Sequence, residues 1–122
     1  MSCDFAVWFT LHRLADDEAR RLYRELCERI TTGVAAHQAI DQFYSELTAK
    51  HPELDDVPEE RIDDMDYSPW SCPIARSPGH IIVSCVWSKA DDIRRLIVEL
   101  VGKHGLAFFD PQTGKIFYPD ES

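Results

Sequence analysis

Three observations predict an α+β fold in which helices pack against a mainly antiparallel sheet. Apolar residues recur every three or four positions in three separate stretches. Short runs rich in aromatic and β-branched residues lie outside those stretches. Proline and glycine punctuate the junctions between them. With 122 residues, 44% of them apolar, the chain is expected to form one domain over 1–122 with a single core.

The run "DFAVWFT" has no helical spacing and reads as a buried strand, with Trp8 in or beside the core. Ala15, Ala19, Leu22, Tyr23, Leu26 and Ile30 then predict a first helix ending near Thr31, Thr32 and Gly33, with Asp16, Asp17 and Glu18 at the positive end of its dipole. Ile40, Phe43, Tyr44 and Leu47 predict a second helix, which stops before Pro52 because a residue preceding proline disfavours helical backbone. The connection at about 52–69, broken by Pro52 and Pro58, has room for one helical turn at most, around Pro58 to Arg61. "WSCPIAR" and "HIIVSCVW" flank the turn "SPG" and predict a hairpin, with Pro73 demoting its first strand to an edge or broken strand. "SKADDIRRLIVELVGKHG" predicts a third helix, with Ser88 as N-cap, Ile93, Leu96, Ile97, Leu100 and Val101 on one face, and Gly105 as the stop. "LAFFDPQTGKIFYP" reads as strand, turn and strand, with Pro111 and Gly114 supplying the turn.

The resulting order is β-α-α-β-β-α-β-β. Without the extra helix and the last short strand it is the ferredoxin-like split βαβ order. The expected architecture is a four- or five-stranded sheet covered on one face by helices starting near Ala15, Ala36 and Asp91. The second hairpin strand raises a difficulty for that picture. Ile81, Val83, Cys85 and Trp87 lie on one of its sides and Ile82, Ser84 and Val86 on the other, so both sides are largely apolar. The second side needs a cover. A weak homodimer or edge-strand contact is the expected one, with a bound partner or a terminal segment folding back as alternatives.

Charge narrows the possible partners. The chain carries 13 basic and 22 acidic residues, a net −9, which argues against nucleic acid and anionic membrane surfaces. No apolar stretch is long enough to span a bilayer, and the amino terminus lacks a secretory pattern, so a cytoplasmic location is expected. Cys3, Cys27, Cys72 and Cys85 form no C-x-x-C, and Cys27 and Cys85 read as reduced core thiols. His12, His37, His51, His80 and His104 make no metal-binding motif, with His104 expected to complement the end of the third helix. "TGK" lacks the upstream glycine of a P-loop, and neither "WSC" nor "WSK" is a nucleophile elbow. No cofactor or metal is implied, and the chain reads as more plausibly a binding protein than an enzyme.

Most of the acidity belongs to one segment. Glu53 to Asp66 holds eight carboxylates and one arginine, −7 of the total −9. Its "DDMD" lacks the glycine and closing glutamate of a calcium loop, and a purely solubilising loop is the plain alternative. The functional expectation is a docking surface for a basic protein, built from Asp55, Asp56, Glu59, Glu60, Asp63, Asp64, Asp66 and an exposed Trp70. The competing expectation is a small enzyme or ligand-binding protein. Its pocket would lie between the sheet face and the acidic segment and use His80, Cys72, Tyr67 and Asp110, with Cys72 and His80 as a thiol–base pair across the hairpin.

"SPWSCPIARSPGHIIVSCVWSKADDI" followed by "KHGLAFFDPQTGKIFYP" resembles a group of small bacterial proteins of unassigned function. These share an early "AVW" strand, an acidic "DD" stretch, two tryptophans near the hairpin and a closing "DPQ-x-G" turn. The resemblance spans Phe5 to Pro119 and implies the fold. In size and composition the chain is also similar to immunity proteins of bacterial toxin systems. That similarity implies a non-enzymatic inhibitor of a basic toxin domain, and it transfers no site residue.

Overall fold

The computed structural model describes residues 2–61, 63–64 and 67–119. Its elements are β1 (Ser2–Trp8), α1 (Asp16–Cys27), α2 (Gln38–Lys50), β2 (Ala75–Ser77), β3 (His80–Val86), α3 (Ala90–His104), β4 (Ala107–Asp110) and β5 (Lys115–Phe117), with short 3-10 turns at Leu54–Asp56, Glu59–Arg61 and Trp87–Lys89. The strands form one five-stranded sheet in the order β2-β3-β1-β4-β5, and each neighbouring pair is antiparallel. The α+β class and the antiparallel sheet therefore follow the sequence expectation.

The placement of the helices does not. β1 alternates Cys3, Phe5 and Val7 toward one face, where they meet Ile81, Val83 and Cys85 of β3 and Phe108 of β4. α2 closes this face with Ile40, Phe43 and Leu47, and α3 with Ile93, Ile97 and Val101. Full burial of each such side chain stabilises the fold by roughly 1.5–3 kcal/mol. Ala6, Trp8, Ala107 and Phe109 point the other way, and α1 covers them with Ala19, Leu22 and Leu26. Helices thus lie on both faces, which corrects the one-faced picture. Small residues at Ala6, Ala19 and Ala107 permit the close approach, and Trp8 stacks on Phe109 at 5.6 Å. Much of the apolar second face, including half-buried Ile82, is covered by α1 and the chain that follows it.

The link between α1 and α2 carries the chain from one face to the other. α1 stops at Cys27, short of the expected end, because Arg29 takes a left-handed conformation with φ 65°. Ile30, expected on the apolar face, is consequently 44% exposed, and Cys27 is exposed too. The link then crosses the end of β1 and β3. Ala35 N donates to Phe9 O at 2.9 Å, and His37 N donates to Pro78 O at 3.2 Å. His37 caps α2 by accepting from Ala39 N. α3 begins at Ala90 after a 3-10 turn and has no side-chain N-cap, so Ser88 does not take the expected role.

The closing turn is fastened to β1 by one side chain. Gln112 Nε2 donates to Asp4 O at 2.9 Å and its Oε1 accepts from Asp4 N at 3.2 Å, continuing the β1–β4 ladder past its backbone partners. Gly114 sits at φ 71° against Arg20, where a side chain would be strained and crowded.

Candidate functional site

The acidic segment leaves α2 at His51 and rejoins the sheet at Trp70, which bridges to Cys85 of β3. Both ends are clamped. Trp70 Nε1 donates to His51 O at 2.9 Å, and His51 Nδ1 donates to Tyr67 O at 3.3 Å with its ring edge-on to Trp70. Ser68 Oγ donates to Pro52 O at 2.8 Å. Glu53 accepts from Ile74 N at 3.0 Å and from the Tyr44 hydroxyl. Burial and that carboxylate push the Tyr44 phenol up to about 12.

These contacts sort the carboxylates by task. Glu53 belongs to the clamp. Asp64 pairs with Arg61 at 3.0 Å and accepts from Tyr67 N, while the Arg61 guanidinium lies over the Tyr67 ring. Asp55, Asp56, Glu59, Glu60 and Asp63 are exposed, and none of their side chains forms a hydrogen bond or ion pair with another described residue. Asp66 lies outside the described residues. The result is five outward carboxylates on a short, pinned loop whose one arginine is already engaged.

Trp70 corrects the expectation of an exposed aromatic. It is 3% exposed, because the clamp draws its indole beneath the loop and into the core of α2, α3 and the sheet. Trp87 takes the exposed position instead, at 56%. Val86 N donates to Pro69 O at 2.8 Å, so Trp87 leaves the sheet directly beside the end of the acidic segment. The sequence reading put Trp87 on the buried side of the strand. The strand ladder ends at Val86, and the following 3-10 turn swings the residue out. Its place immediately before a helix start was the available signal.

The groups named for an enzyme do not converge. Cys72 is exposed near Ser84, given the bond from Ser71 N to Ser84 O, whereas His80 opens β3. Four strand residues, roughly 13 Å, separate those levels. His80 is buried, 2.5 Å from the Ser77 hydroxyl, and desolvation lowers its pKa. Asp110 is buried on β4, paired with Arg94 at 2.9 Å and accepting from Gln112 N at 3.0 Å. Tyr67 lies under Arg61. Cys3 and Cys85 face each other across β1 and β3, and burial raises both thiols, Cys85 to about 12. Raised thiols in the core favour packing over nucleophilic chemistry. His104 meets Glu46 of α2, which Lys103 and His104 together hold below the usual carboxylate range. Among the described residues, no three His, Cys, Asp or Glu side chains are placed to hold a metal ion, and no helix is long and apolar enough to cross a membrane.

No family model, no curated protein and no solved structure matches the chain.

Proposed function

We propose that the protein is a non-enzymatic binding protein whose acidic loop receives a basic protein partner, in its most specific form an immunity protein that blocks a basic bacterial toxin domain. The observation that carries this reading is the pinned loop with Asp55, Asp56, Glu59, Glu60 and Asp63 all facing solvent. Clustered charge of one sign steers an oppositely charged partner, and a loop anchored at both ends has less freedom to lose on docking than an unanchored one. Trp87 supplies an exposed aromatic beside the charges, a composition common at interface centres. The strand order β2-β3-β1-β4 also supports a ferredoxin-like reading of the fold, with α1 and β5 as additions to it.

The test uses the product of a gene adjacent to this one. Expressed alone it should arrest growth, and co-expression of this chain should relieve the arrest. Reversing Asp55, Asp56, Glu59 and Glu60 to lysine should abolish relief and slow association by about tenfold or more at low salt. The same variant should unfold within roughly 0.5 kcal/mol per site of the parent, since these side chains hold nothing in the fold. Undiminished protection by the reversed protein would end the proposal.

A further inference from the structure

The sheet is open, so β2 and β5 each leave one side without a neighbouring strand. Such an edge offers backbone donors and acceptors to another chain, and proteins commonly block it. β5 is blocked. Its pairing with β4 turns the Ile116 amide toward the free side, where Asp16 Oδ1 accepts from it at 3.0 Å.

β2 is blocked only in part. Val86 N donates to Pro69 O and Ser71 N donates to Ser84 O, so the even-numbered residues of β3 turn their amides and carbonyls toward the β2 side. Ile82 and His80 therefore exchange hydrogen bonds with Ala75 and Ser77, and the intervening Arg76 points its amide and carbonyl to the free edge. Neither group has a hydrogen-bond partner among the described residues. The exposed Arg76 guanidinium lies over the Tyr44 ring at 3.8 Å and 4.0 Å from Asp41. Two residues before Arg76, Ile74 N donates to Glu53 Oε1 at 3.0 Å. Glu53 thus takes the place of one carbonyl of an added strand, and the next position along the edge is left open.

Charge selects the occupant. Asp41, Glu53 and the exposed Asp56 border this edge, and Asp56 lies near enough to add to what burial and Glu53 do to the Tyr44 phenol. A second copy pairing β2 with β2 would bring two acidic borders together, whereas an extended basic segment would meet opposite charge.

We propose, resting on the docking reading above, that the basic partner presents an extended lysine- or arginine-rich segment that adds as a strand to β2 and exchanges both main-chain hydrogen bonds with Arg76. In strand addition of this kind the main chain supplies the grip, and alternate side chains supply the selectivity that the acidic border here would read.

The test combines the full chain with a short peptide of alternating lysine and threonine and follows hydrogen exchange of the Arg76 amide by NMR. Saturating peptide at low salt should slow that amide about tenfold or more, because an amide bonded into a ladder exchanges only when the ladder opens. The same peptide with its backbone amides methylated keeps its charge, loses its donors and should bind about tenfold more weakly, with no change made to the protein. Arg76→Pro removes the outward donor and no ladder bond, a substitution that an edge strand tolerates, and should weaken binding by a similar factor. Arg76→Ala keeps the donor and should bind no more weakly than the parent. The inference falls if the peptide does not bind, if the Arg76 amide exchanges unchanged in the complex, if the methylated peptide binds as well, or if Arg76→Ala loses as much as Arg76→Pro. Reversal of Asp55, Asp56, Glu59 and Glu60 to lysine separates this from the docking reading. Binding lost on reversal, with the Arg76 amide unprotected in the parent complex, keeps the acidic loop and ends strand addition. Arg76 protection that survives reversal keeps strand addition and counts against the loop.

Discussion

The two ends of β1 use tryptophan in opposite ways. Beside Cys3 and Cys85, Trp70 is buried with its indole N–H bonded to His51 O, and the two ends of the acidic loop are tied together above it. At the other end Trp8 is buried just as deeply with its N–H unpaired, and the structure beside it is hollow. A satisfied interior donor locks the chain that supplies the acceptor, whereas an unsatisfied one is a cost that the packing around it has to offset. The acidic end therefore presents charge on a loop anchored at both ends, and the other end presents a pocket.

The largest expected effect breaks the acidic end. Trp70→Ala should cost about 3–5 kcal/mol in urea unfolding, through the cavity and the lost clamp together. A loss below about 1 kcal/mol would mean that the loop does not depend on this residue.

A smaller and sharper comparison sets Trp70→Phe against Trp8→Phe. Both keep an aromatic ring of reduced size. The first strands the His51 carbonyl and the second removes a donor that had no partner. Trp70→Phe should therefore be the more destabilising by about 1–2 kcal/mol under the same denaturant titration. Equal losses would show that the Trp8 N–H is satisfied by water in solution.

The pocket end should also be the more acid-sensitive, through His80, which pairs with Trp8 across the β1–β3 ladder. Desolvation holds its folded pKa below the ordinary value of 6.5. The unfolded chain therefore binds the proton first, so the His80 contribution is complete above about pH 6.5 and is lost as pH falls. The slope from this one group cannot exceed about 1.4 kcal/mol per pH unit. His80→Gln should flatten that part of a stability profile taken from pH 7 to 5, and an unchanged slope would assign the sensitivity to other groups.

Much of the architecture was legible along the chain. Helical spacing marked all three helices, because a helix needs only a stripe of apolar residues at a local period, and "HIIVSCVW" showed that both faces of its strand needed cover. The acidic segment was equally plain, since charge density is a property of composition. Its internal division was not. Only distances show Glu53 serving the clamp, Asp64 serving Arg61 and the remaining described carboxylates left to solvent.

Sequence alone thus determined the class of fold, the identity and order of most elements and the place where negative charge gathers. Tertiary structure decided which face α1 covers, which tryptophan is buried beside the acidic loop and where a pocket opens. Local periodicity states that a face is apolar without naming its partner. That choice depended on Arg29 ending α1 early and on residues 33–37 carrying the chain across the end of the sheet, contacts between positions far apart in the chain that no local pattern encodes.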